Sequence, residues 1–159
     1  AFAKKFDHVD ALDISEGMIE IAQAYCLDND ISNVTFIDTN KNPDFLSHQY
    51  GKYDLVYSTL VLQHNPIPRA KKMLGQLCNA IADEGIGLIY IYADLGYAEQ
   101  NLAKCDPLLS DRMQMHPIPF NEAKEVINES DCELLEYRQD RVHDAGFSGW
   151  WTIQKRELP

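Results

Sequence analysis

At 159 residues the chain has the length of one domain, long enough to bury a core without disulfide or metal staples. Its formal net charge of −11, from 25 acids against 14 bases, argues against nucleic acid and anionic membrane surfaces as partners, since both call for a basic patch. No apolar run approaches the ~18 residues of a membrane span and no signal peptide is recognisable, so the expected location is the cytoplasm. Four widely spaced cysteines (Cys26, Cys78, Cys105 and Cys132) form no C-x-x-C pair and read as reduced structural thiols, with no metal site implied.

The elements follow in chain order. "AFAKKF" reads as the tail of an amphipathic helix, so the expectation is that the chain starts partway through a longer pattern. "HVDALDI" alternates and ends in a turn, which predicts a strand over Val9–Asp13. Met18, Ile21, Ala22 and Tyr25 then recur at helical spacing, with Ser15 as N-cap and no capping-box partner three residues on. "NVTFIDT" predicts a second strand, and Asp54–Tyr57 a third that bends near Ser58. "PIPRA" opens a helix whose apolar face is Ala70, Met73, Leu74, Leu77, Ile81 and Ala82, with Pro68 in the first turn and Gly85 as the C-terminal stop.

"IGLIYIY" is nearly continuous in apolar residues, as expected of a strand covered on both faces. The pattern fades over residues 93–117, an insert. A helix at "FNEAKEVINES", capped by Asn121, precedes two strands, "CELLEYRQDRV" and "WWTIQKR", that pair as a hairpin. Strands separated by helices predict parallel crossovers in a layered, Rossmann-like α/β sheet with an antiparallel pair at the end. Ligands of such sheets bind at the carboxyl ends of the strands, where this order places Asp13, Thr39, Asn40 and Ser58.

The stretches "VDALDISEGMIEIAQAY", "NVTFIDTN", "KYDLVYSTLVLQHNP" and "GIGLIYIY", with the closing helix and hairpin, resemble the class I S-adenosylmethionine-dependent methyltransferases of the small-molecule type. The resemblance runs over nearly the whole chain, 1–159, as one domain. It implies S-adenosylmethionine as cofactor and a small molecule as methyl acceptor. Asp13 matches the acid that holds both ribose hydroxyls, a bidentate charge-assisted contact. Ile14 and Met18 match the apolar residues on the adenine face, although Met18 also fits the helix's own packing stripe. Asn40 stands where the family has an acid accepting from the adenine amino group; its amide carbonyl can accept the same bond, and Asp38 is an alternative.

Ser58 and Thr59 match positions near the methionine part of the cofactor, and Thr39 follows the second strand beside them. His64, in "LQHNP", matches a histidine near the family's reaction centre and is the candidate base for removing a proton from the acceptor. The insert 93–117 would cover the acceptor pocket, with Tyr90, Tyr92 and Tyr97 lining it.

One family feature has no counterpart in the sequence: the first strand and glycine-rich loop, which would precede "AFAKKF". That loop brings backbone close to the cofactor, and its strand lies centrally, between those ending at Asp13 and Tyr57. The expectation is a truncated domain with impaired cofactor binding. Its flanking strands would pair directly, borrow a strand from another chain and so form a homo-oligomer through exposed edges, or belong to a longer protein. Rival readings are a non-catalytic interaction module and a fragment of a nicotinamide-dependent dehydrogenase, which also places an acid after its second strand.

Overall fold

The computed structural model describes residues 2–94, 115–143 and 146–156, so most of the predicted insert, with Tyr97, lies outside the described residues. Val9–Asp13 is strand β1, Glu16–Asp28 is helix α1 and Val34–Asp38 is strand β2. β1 and β2 pair in parallel from Val9 opposite Val34 to Asp13 opposite Asp38, so they end level at their carboxyl ends. Ser15 caps α1 as predicted, its Oγ accepting from Met18 N at 3.3 Å.

The buried face of α1 differs from the predicted one. Ile19 is buried and Ala22 and Cys26 are half-buried, whereas Met18, Ile21 and Tyr25 are 55, 65 and 62 % exposed. Both sets have i, i+3, i+7 spacing, one residue apart. α1 therefore carries two adjacent apolar stripes, and only the first is packed away.

The described residues fall into two compact units, Ala1–His48 and Gln49–Pro159. The second unit contains strand β3 (Tyr53–Ser58), helix α2 (Ile67–Ala80), strand β4 (Ile81–Asp94), the short β5 (Ile118–Pro119), helix α3 (Phe120–Glu129) and strands β6 (Cys132–His143) and β7 (Gly146–Lys155). Its sheet runs β3-β4-β7-β6, with β5 beside β4. The β3–β4 and β4–β5 pairs are parallel, and β7 is antiparallel to both neighbours. This is the expected Rossmann-like α/β layering with a closing antiparallel hairpin. β1 pairs with β2 in the two-stranded sheet of the first unit.

Two element boundaries move. α2 stops at Ala80, and Ile81 already pairs with Tyr53; the register then shifts before Leu55 meets Ile86. Gly85 serves that irregularity and is not a helix stop. A Cβ there would lie 2.9 Å from both Ala82 O and Tyr53 O, too close for any side chain. α3 is entered from Pro119, not Asn121, because the proline's fixed φ of −54° leads directly into the first turn.

α2 and α3 pack on one another and on the sheet, burying Leu74 and Ile127 beside Ile89, Ile91, Trp151 and Ile153. Residues Ile89 to Ala93 of β4 are all at most 7 % exposed, which is why that stretch reads as continuously apolar. On β7, Gly149 sits next to a register shift between Gln139 and Arg141, where a Cβ would stand 2.5 Å from Arg138 O.

Tyr137 packs edge-on to Trp151, with ring centres 5.7 Å apart. Burial first, then the nearby Tyr90, pushes its phenol from 10.0 up to about 12. The folded state thus holds this proton more tightly than the unfolded chain. The stability so gained is whole below pH 10 and is lost as pH rises from 10 to about 12. Denaturant unfolding across that window should show a steeper decline for the natural chain than for Tyr137→Phe.

Candidate functional site

In the first unit the level ends of β1 and β2 bring Asp13, Ile14, Thr39 and Asn40 into one bonded cluster. Thr39 donates to Asp13 O through its backbone N at 2.9 Å and its Oγ1 at 3.2 Å. Asp13 Oδ1 accepts from Ser15 N at 2.8 Å, closing the turn into α1. The same carboxylate therefore shapes the turn with one oxygen and leaves Oδ2 without a partner among the described residues. The helix itself is capped by Ser15, so capping does not account for the acid.

Asn40 Nδ2 donates to Ile14 O at 2.7 Å, which fixes the amide's orientation and leaves its Oδ1 as an open acceptor at the exposed end of β2. Asp38 is engaged otherwise. Its Oδ1 accepts from Asn40 N at 2.8 Å and Lys41 N at 3.4 Å, and its Oδ2 lies 3.4 Å from Lys41 Nζ. Partial desolvation raises its pKa, but the backbone bond from Asn40 and the contacts with Lys41 together outweigh that and hold it below the ordinary value. Lys41 also donates to Glu16 Oε1 at 2.6 Å. Both oxygens of Asp38 are thus engaged with Asn40 N and Lys41. Beside the cluster Ile14 and Met18 are 58 and 55 % exposed, open apolar surface next to open acceptors.

In the second unit Ser58 ends β3, 8 % exposed, and Thr59 follows half-buried. Leu60 then adopts a left-handed backbone, φ 57°, unusual for a non-glycine residue and typical of strained turns at functional sites. The following turn, Leu62–His64, turns His64 outward into solvent and Gln63 inward. Gln63 is 2 % exposed, and its Oε1 is buried with no hydrogen-bond partner among the described residues. The backbone carbonyl of Gln63 accepts from His116 N at 2.7 Å, anchoring the segment that leads into β5.

Sequence reasoning singled out His64 for its chemistry and passed over Gln63. The signal was available only as position: the residue follows Leu62, which is wholly buried, in a one-turn helix. Tyr90 and Tyr92 are 7 and 5 % exposed. The Tyr90 hydroxyl lies 3.0 Å from Asp140 Oδ2 and 2.8 Å from Ser148 Oγ, so it donates to the carboxylate and accepts from the serine.

Parallel strands ending in open acceptors, on a layered sheet with crossover helices, define a Rossmann-like α/β protein. The chain belongs to the methyltransferase domain family, whose profile matches residues 1–85, just over half of it. No curated protein sequence matches it significantly.

Among solved structures it is similar to magnesium protoporphyrin IX methyltransferase from Synechocystis with bound S-adenosylhomocysteine (TM-score 0.67, 17 % identity, 97 % of this chain and 66 % of that one). A putative methyltransferase from Bacillus halodurans gives TM-score 0.68 at 12 % identity, over 96 % of this chain and 82 % of that one. The 1,6-didemethyltoxoflavin-N1-methyltransferase of Burkholderia thailandensis, with bound 1,6-didemethyltoxoflavin and S-adenosylhomocysteine, gives 0.59 at 14 %, over 94 % and 62 %. The chain thus spans 62–66 % of the length of the two substrate-assigned enzymes.

Proposed function

We propose that the chain is part of an S-adenosylmethionine-dependent methyltransferase acting on a small-molecule acceptor in the cytoplasm. The observation that supports this best is the pair of open acceptors, Asp13 Oδ2 and Asn40 Oδ1, beside the exposed apolar Ile14 and Met18. An adenosyl group has the complementary set: vicinal ribose hydroxyls and an amino group as donors, and a flat apolar face. Two neighbours hold S-adenosylhomocysteine, and one also holds 1,6-didemethyltoxoflavin.

In this reading Asp13 holds the ribose, Asn40 the adenine amino group, and Ile14 and Met18 the ring. Thr39 keeps the two strand ends together, and Ser58 and Thr59 meet the methionine part. The cofactor supplies a methyl group already activated on a sulfonium, so most of the acceleration comes from alignment of the acceptor, and side chains contribute little bond chemistry. His64, open to solvent, takes the acceptor's proton and passes it to water. Residues 1–159 form one methyltransferase domain, and 93–117 act as the insert over the acceptor.

In this reading residues 1–159 bind the cofactor weakly by themselves, because the glycine-rich loop that brings backbone close to the cofactor has no counterpart in the sequence. Amide chemical-shift mapping with millimolar S-adenosylhomocysteine tests both parts. Shifts centred on Asp13, Ile14, Thr39 and Asn40, with weak affinity, are expected. Micromolar affinity by calorimetry contradicts the impairment, and a response to a nicotinamide dinucleotide in place of the adenosyl ligand favours the dehydrogenase.

A second reading, a module that associates without catalysis, is favoured by the exposed Met18, Ile21 and Tyr25. Light scattering decides it: a concentration-dependent homo-oligomer supports association, and a monomer at every concentration rejects it.

A further inference from the structure

We propose that Lys41 is a positioning residue of the adenosyl site, an ionic clasp that joins the loop after β2 to the first turn of α1 and holds Asn40 in its binding orientation. The inference rests on the adenosyl reading above and adds to it a residue that acts through its neighbours.

The Lys41 ammonium spans the two loops. Its Nζ donates to Glu16 Oε1 at 2.6 Å, a residue 25 positions earlier, and lies 3.4 Å from Asp38 Oδ2. Asp38 Oδ1 accepts from Asn40 N at 2.8 Å, so the carboxylate that Lys41 orients also sets the backbone of Asn40. Asn40 Nδ2 then reaches back to Ile14 O at 2.7 Å, on the loop that leads into Glu16. These contacts close a ring through the start of α1, and the open acceptor Asn40 Oδ1 is carried on that ring.

The charge pattern explains why a cation stands there. Asp13 and Asp38 are register partners at the ends of β1 and β2, and Glu16 opens α1. Like charges opposite each other on neighbouring strands repel. Glu20 adds a fourth acid, in a cleft of about 230 Å³ that Glu16, Asp38 and Lys41 also line. Lys41 engages Glu16 and Asp38 and leaves Asp13 Oδ2 open. The bond to Glu16, then that to Asp38, raises the Lys41 ammonium above its ordinary value, so the clasp stays charged.

The fold itself does not depend on the clasp. The Lys41 and Glu16 side chains are 68 and 65 % exposed, and ion pairs so exposed contribute little to stability. The backbone ladder joins β1 to β2, and Ser15 caps α1. What the clasp governs is the loop that presents Asn40, and salt screens an exposed pair of this kind.

The test titrates the full chain with adenosine, a ligand without net charge, and follows the amides of Asp13, Ile14 and Asn40. Lys41→Met should bind roughly three- to tenfold more weakly at low salt, the worth of two exposed ionic contacts. The natural chain should lose affinity by a similar factor between about 20 and about 500 mM salt, and the variant should show no such dependence. Lys41→Arg should restore both the affinity and its response to salt. Glu16→Gln should weaken binding and add little to Lys41→Met, since both break one clasp. Urea midpoints should stay close to that of the natural chain throughout. Unchanged affinity in Lys41→Met, a loss that salt does not reproduce in the natural chain, or a fall in midpoint that accounts for the loss overturns the clasp and leaves the adenosyl reading standing. No response to adenosine at Asp13 and Asn40 in the natural chain overturns both.

Discussion

Asp13→Asn should weaken binding of an adenosyl ligand about ten- to a hundredfold, the worth of one charge-assisted hydrogen bond, while leaving the fold intact. The reasoning rests on how its two oxygens are used. Oδ1 accepts from Ser15 N and shapes the turn into α1, a bond that an asparagine carbonyl can retain. Oδ2, the oxygen without a partner, becomes an amide nitrogen that can no longer accept from a ribose hydroxyl.

Asp13→Ala loses both functions and should also cost about 1 kcal/mol of stability through the orphaned Ser15 N–H. Chemical-shift titration with S-adenosylhomocysteine measures the first effect and denaturant unfolding the second. An asparagine variant that binds like the natural chain would confine Asp13 to shaping the turn and withdraw the ribose assignment.

Trp151→Ala should destabilise the chain by roughly 3–5 kcal/mol, the range for removing a buried aromatic. Trp151 is wholly buried, with the Phe120 ring centre 4.9 Å away and that of Tyr137 5.7 Å away. It joins α3 to β6 and β7, so the cavity would open at the junction of helix and sheet. Against a typical total of about 5–15 kcal/mol, that loss is large enough to populate unfolded chain without denaturant. Trp151→Phe should cost much less, since the indole Nε1 is buried without a hydrogen-bond partner among the described residues. Urea unfolding followed by circular dichroism gives both values, and equal losses for the two variants would mean that ring volume is not what the site requires.

Much of the candidate site was legible because its signals are local. An apolar run closing on an acid, followed by a serine cap and a helical period, needs only neighbours in sequence to be read, and Asp13, Ser15 and Val9–Asp13 stand where that pattern puts them. The parallel order of the strands followed likewise from the helices between them. Legibility failed where two local answers were equally good. α1 offers Met18–Ile21–Tyr25 and Ile19–Ala22–Cys26 at the same spacing, and only the sheet chooses between them. Nor does the sequence place Lys41 against Asp38, or the Asn40 amide against Ile14 O.

By itself the sequence determined the α/β class, the register-setting turns and the residue types at the strand ends, because propensity, capping and periodicity act over a few residues. Only the tertiary structure decided which oxygens remain open, that Gln63 and not His64 turns inward, and that Cys132 Sγ meets the Cys78 carbonyl across 54 positions. Burial and hydrogen-bond partnership are set by segments distant in the chain, and no local pattern encodes which of them will arrive.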